Sequence, residues 1–96
     1  MHTHPFLRSI ALFYRALSNE RRLYILIRLV AVGSMTNDVL RKELKIHHTA
    51  VSRHLHILLQ AGLVQSKRKG REVYFSFNTR FMLKGILSMT QLLTTR

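Results

Sequence analysis

Five residues carry the chemistry this chain is best placed to perform: His48, Thr49, Ser52, Arg53 and His56. Each of these side chains donates or accepts hydrogen bonds, and none is acidic. Helical spacing gathers them on one face, away from an apolar stripe of Val51, Leu55, Leu58 and Leu59. A helix with one apolar edge and one polar, non-acidic edge suits the major groove of duplex DNA, where base edges present donors and acceptors. Arg53 suits guanine O6 and N7, while Thr49 and Ser52 suit a phosphate or a base edge. His54 lies at the edge of the apolar stripe, a place for packing or internal hydrogen bonding.

A second group of cations, Lys67, Arg68, Lys69 and Arg71, surrounds Gly70. At the tip of a hairpin these charges would reach a minor groove or the phosphate backbone, with a gain from released counterions. Other chemistries find little support. The chain has no cysteine, so it has no disulfide, thiolate metal site or thiol switch. Its carboxylates, Glu20, Asp38, Glu43 and Glu72, are scattered, and no nucleophile–base order or Gly-rich phosphate loop accompanies them, so an enzyme is not expected. The histidines are dense: His2 with His4, then His47, His48, His54 and His56. Imidazole suits zinc, nickel and copper, but no acidic or thiolate residue joins these histidines in an ordered pattern, so neither a metal site nor a cofactor is expected. Protonation of His47, His48 and His56 would add positive charge to the polar face.

The whole composition points the same way. There are 16 Lys and Arg against 4 Asp and Glu among 96 residues, a formal charge of +12. A balance of this kind favours a polyanionic partner, double-stranded DNA or an anionic surface. The length suits one domain over residues 1–96 with a thin core, which oligomerisation would help. No apolar run approaches the roughly 18 residues of a membrane span, and the first residues lack a basic region followed by an apolar core. A cytoplasmic protein without a membrane partner is the expectation.

The elements that must position these residues are mostly helices. Pro5 suits a helix start, and Phe6, Ile10, Phe13 and Leu17 then share a face, flanked by Leu7, Ala11 and Tyr14. Ser18 or Asn19 caps a second helix with Glu20 in its first turn. Its residues Leu23, Ile25, Leu26, Ile27, Leu29, Val30 and Val32 are apolar on nearly every side, which predicts the buried centre of the domain, ended by Gly33. Thr36 or Asn37 caps a short third helix with Val39, Leu40 and Leu44. A turn at Lys45-Ile46-His47 leads into the polar-faced helix, which Gly62 stops. The period then becomes two. Residues 63–69 and 71–77 read as strands, with Val73, Phe75 and Phe77 alternating against Glu72, Tyr74 and Ser76. Asn78-Thr79 opens a last helix, striped by Met82, Ile86, Met89 and Leu93 with Leu83 and Leu87 beside them. The fold class is mainly α with a small β-hairpin, in the order α-α-α-α-β-β-α. Leu26, Leu29, Leu40, Val51, Leu55 and Leu58 should share its core.

Three ordered segments resemble the winged helix-turn-helix repressors of the ArsR/SmtB family, over nearly the whole chain. Ala16-Leu17-Ser18-Asn19-Glu20-Arg21-Arg22-Leu23-Tyr24-Ile25-Leu26 is similar to the family's opening motif. Thr49-Ala50-Val51-Ser52-Arg53-His54-Leu55 followed by Ala61-Gly62-Leu63-Val64 resembles its recognition helix, and Arg68-Lys69-Gly70-Arg71-Glu72-Val73-Tyr74-Phe75 its wing. The resemblance implies a sequence-specific DNA-binding regulator, a repressor that works as a homodimer joined through its first and last helices. Composition agrees, because the terminal helices carry more apolar surface than one thin domain covers. Phe6, Ile10, Phe13, Met82, Ile86, Met89 and Leu93 are the expected interface.

Departures from the family matter as well. Metal sensors of this kind often hold thiolates in the third helix, and Thr36-Asn37-Asp38-Val39-Leu40-Arg41-Lys42-Glu43-Leu44 has none. Others place zinc between the last helices, and from Thr79 to Arg96 there is no Asp, Glu or His. His47 stands where the family often has a capping serine, and histidine caps less well. Two other readings stay open at this point: a winged-helix adaptor for a protein or an anionic surface, and a sensor of metal or pH built on histidines.

Overall fold

A computed structural model describes residues 5–94, so His2 and His4 lie outside the described residues. The first helix, α1, runs Pro5–Leu17. Asn19 is extended, and its side chain accepts from the Arg22 N–H at 3.1 Å, which starts α2 at Glu20–Val32. Asn19 is therefore the cap, while the Ser18 hydroxyl donates back to Arg15 O at 2.8 Å. Gly33, at φ +102°, closes α2 through its N–H on Leu29 O. Thr36 caps α3, Asn37–Leu44, by accepting from Val39 N–H, which leaves the Asn37 side chain free for another task. Lys45 takes the left-handed conformation at φ +57° to turn the chain into α4, His48–Gln60.

Two hydrogen bonds of 3.0 Å, Gly62 N–H to Leu59 O and Leu63 N–H to Leu58 O, end α4 in a Schellman motif. Gly62 is required twice. Its φ is +79°, and a Cβ there would sit 2.7 Å from the Phe81 ring. The chain then forms β2, Val64–Lys69, and β3, Glu72–Phe77, paired antiparallel with Ser66 opposite Phe75 and Lys69 opposite Glu72.

The sheet differs from the expected two-stranded hairpin. A short strand, β1 at Met35–Thr36, pairs with the other edge of β3, giving the order β1-β3-β2. The element order becomes α-α-β-α-α-β-β-α. Two residues carry no periodicity, so only their pairing with Phe75 and Tyr74 defines this strand.

The core collects Phe13, Ile25, Leu29, Leu40, Val51, Leu55, Leu58 and Leu63, each at most 2% exposed. All six residues expected there are buried. The expectation for α2 requires correction. Ile25, Leu26 and Leu29 are buried, but Leu23, Ile27, Val30 and Val32 are exposed, Ile27 by 66%. A chain of this size has too few elements to surround a helix, and α1, α4 and β3 cover one side of α2 only.

The last helix, α5, spans Thr79–Thr94, with Asn78 Oδ1 accepting from Phe81 N–H at 3.2 Å. None of its described residues is buried. Gly85 lets α5 approach α1, because a Cβ there would meet the Phe13 ring at 2.5 Å. Phe13, expected at an interface between copies, is thus already inside the protomer at 2% exposed. Phe6 and Ile86 are exposed, Ile10, Met82 and Met89 half-buried, and Leu93 is 75% exposed. The Cα radius of gyration is 14.6 Å with a longest extent of 48 Å. Compact chains of this length have about 12–13 Å, so the protomer is elongated.

Candidate nucleic-acid interface

The apolar edge of α4 anchors the polar one. Val51, Leu55 and Leu58 are buried, and this fixes the rotation that leaves His48, Thr49, Ser52, Arg53 and His56 exposed. The expected face therefore exists as a surface. Its side chains, however, are not equally free.

Ser52 is tied to α3. Asn37 Nδ2 donates to Ser52 Oγ at 2.8 Å and to the His48 carbonyl at 3.3 Å. Asn37 thus clamps the first turn and the polar face of α4 to α3. The sequence carried no signal for this, because Asn37 reads there only as an alternative cap to Thr36. His47 caps α4 after all: its Nδ1 accepts from Thr49 N–H at 3.2 Å and faces Thr49 Oγ1 at 2.8 Å. Its ring leans on His48, with centroids 4.3 Å apart.

Arg22 is the buried residue that sequence reasoning missed. It shares the inward stripe of α2 with Ile25, Leu26 and Leu29, and a cation at that register was the available signal. Its Nε donates to Ala16 O at 2.8 Å and its Nη2 to Arg15 O at 3.0 Å, capping the C-terminus of α1. Its Nη1 reaches His54 Nδ1 at 3.3 Å, which joins the same guanidinium to α4. His54 therefore bonds within the fold, as its position at the stripe edge predicted. On the far side of α3, Glu43 accepts both Arg28 Nε at 2.8 Å and Tyr24 Oη at 3.1 Å, holding α3 against α2.

Burial first, and then the charges of Arg22, Arg21 and Arg53, hold the His54 pKa below the ordinary histidine value. The unfolded chain then takes up this proton at a higher pH than the folded chain does. The stabilisation is full above the unfolded value of about 6.5 and is lost as pH falls from there towards the folded value. The thermal midpoint should drop more between about pH 8 and 5.5 in the wild type than in His54→Gln, which retains an acceptor but does not titrate. Parallel curves would remove His54 as the source.

The wing cations do not form one cluster. Lys67 lies opposite Tyr74 and Lys69 opposite Glu72 on one face of the hairpin, while Arg68 lies opposite Val73 on the other. Arg68 Nε donates to Gly70 O at 3.2 Å, closing the tip, and Lys69 Nζ sits 5.5 Å from the Tyr74 ring centroid. Lys67 and Arg71 are exposed. Three of the four carboxylates are occupied within the fold: Asp38 with Arg41 and Lys42, Glu43 with Arg28, and Glu72 with the Tyr74 hydroxyl. Among the described residues no three His, Asp or Glu side chains converge for a metal, and no helix is long and apolar enough to cross a membrane.

Residues 19–66 match the family of bacterial regulatory proteins called the arsR family. The transcriptional repressor SdpR of Bacillus subtilis is 34% identical over 73 residues, covering 76% of this chain and 80% of its own. An ArsR-like transcriptional regulator from Rhodococcus sp. RHA1 has a TM-score of 0.80 at 27% identity, over 90% of this chain and 80% of that one. A homodimeric winged helix-turn-helix DNA-binding domain from Mycobacterium bovis, solved in solution, has a TM-score of 0.73 at 28% identity, over 91% of this chain and 79% of that one.

Proposed function

This chain belongs to the ArsR family of bacterial regulatory proteins, and from that premise we propose that it is a dimeric, cytoplasmic repressor that reads double-stranded DNA. The observation that carries the reading is the polar face of α4: exposed, free of carboxylates, and held rigid from behind by a buried apolar edge. His48, Thr49, Ser52, Arg53 and His56 enter the major groove, and Lys67, Arg68, Lys69 and Arg71 follow the adjoining backbone or minor groove. A net charge of +12 supplies the long-range attraction.

Two copies associate through α1 and α5. Support comes from α5, whose described residues include none that is buried, and from the clefts beside it. One, of about 570 Å³, is lined by Leu7, Ile10, Tyr14, Met89 and Leu93. Paired recognition helices would match a two-fold operator. Control by a thiolate metal site is excluded by the absence of cysteine, and the function as proposed needs neither metal nor catalysis.

The experiment is a binding titration on a selected operator and on random duplex, at several salt concentrations. Arg53→Ala should relax preference at one base pair, with a loss of about 1–3 kcal/mol on the operator where the contact is bidentate to guanine. Arg68→Ala should weaken both duplexes alike and reduce the salt slope by about 0.9 for the phosphate it leaves. Wild-type protein with equal affinity for operator and random duplex would sink the reading. Identical profiles for the two variants would remove the division between reader and clamp.

A further inference from the structure

We infer that Thr49 selects the orientation of one base pair in each half-site, because the fold holds its hydroxyl as an outward acceptor. The inference rests on the proposed reading of DNA by α4. A backbone N–H only donates, so the approach of Thr49 N to His47 Nδ1 at 3.2 Å places a lone pair on Nδ1. The same lone pair faces Thr49 Oγ1 at 2.8 Å, so the hydroxyl proton points at the imidazole. Thr49 then shows only lone pairs to the outside. Ser52, one turn further on, keeps an outward donor. Asn37 Nδ2 donates to its Oγ at 2.8 Å, and an amide nitrogen does not accept, so the Ser52 proton is left to face outward. The orientation of the Asn37 amide is fixed by its second contact, because Oδ1 in place of Nδ2 would abut the His48 carbonyl.

Two hydroxyls that look interchangeable in sequence thus read different groups. Of the two only Ser52 keeps a proton to donate, to a phosphate oxygen, a purine N7, guanine O6 or thymine O4. Thr49 accepts, and the only major-groove donors are the exocyclic amines of adenine and cytosine. Every base pair carries one such amine, so Thr49 reports which strand holds it: A rather than T, or C rather than G. His47 is the positioning residue that sets this polarity.

The test starts from duplexes selected by the wild-type 96-residue chain from a random library at about pH 7.5. Each adenine is then replaced by purine, and each cytosine by 2-pyrimidinone, which deletes the amine together with one Watson–Crick hydrogen bond, a loss to the duplex that is the same for every protein variant. At one position per half-site the deletion should weaken the wild type about 2- to 12-fold, the range of one neutral hydrogen bond. Thr49→Val, nearly isosteric but without the hydroxyl, should be insensitive there. His47→Ser, which still caps α4 but no longer holds the Thr49 proton, should bind with a smaller amine effect at the same position. Thr49→Val losing affinity on amine deletion as much as the wild type does, or a wild type sensitive to no amine, would overturn the assignment while leaving the regulator intact. No enriched sequence at all would overturn both.

Discussion

Arg22→Met should lower the stability of the folded chain by about 2–4 kcal/mol, the largest loss expected from any single charged side chain. Arg22 is 8% exposed, and its guanidinium makes three contacts, to Ala16 O, Arg15 O and His54 Nδ1. Hydrogen bonds to a charged group contribute about 1.5–3 kcal/mol each, and bonds sharing one donor group do not add in full. Methionine fills much of the same space, so the loss isolates the carbonyls left without a partner at the end of α1. Arg21 is exposed, and Arg21→Met should change stability by no more than about 0.5 kcal/mol. Arg22→Lys should fall between, since an ammonium lacks the fork that spans two carbonyls and an imidazole. Urea midpoints at one protomer concentration decide the matter. Equal midpoints for the two methionine variants would show that the buried guanidinium contributes nothing. The loss is large against the roughly 5–15 kcal/mol that holds a domain together.

Ile86→Glu should leave the protomer folded and make it monomeric, with operator affinity lower by about 10²- to 10⁴-fold. Ile86 is 44% exposed and contributes nothing to the protomer core, so a carboxylate there is solvated in the monomer. Between two copies it would be buried without a partner, which is costly. Loss of the dimer converts a second, intramolecular contact with DNA into an independent one, hence the size of the effect. The apolar surface flanking α5 continues onto α2, where Leu23, Ile27 and Val30, with Met82 of α5, line a further cleft of about 300 Å³. Sedimentation at micromolar concentration and titration on the operator test this. A wild-type monomer, or a dimeric Ile86→Glu with full affinity, would remove α5 from the interface. Circular dichroism of the variant guards against simple unfolding.

The sequence by itself determined what neighbours within a few turns decide. The inward edge of α4, the stop at Gly62, the two strands of the wing and the six core residues all follow from periodicity and local backbone chemistry, although burial along those strands does not alternate. Those signals are local because side chains three or four apart on a helix, or two apart on a strand, share a face whatever the rest of the chain does. The tertiary structure alone decided the rest. The strand at Met35–Thr36 exists only because β3 offers it an edge. Which side of α2 met solvent depended on how many elements were left to cover it. Asn37 and Ser52 are 15 residues apart, and Arg22 and His54 are 32 apart, so no local pattern announces either pair. The polarity of Thr49 needed one further step, the placing of a single lone pair on His47, and a lone pair acquires a direction only when the donors around it are held in space.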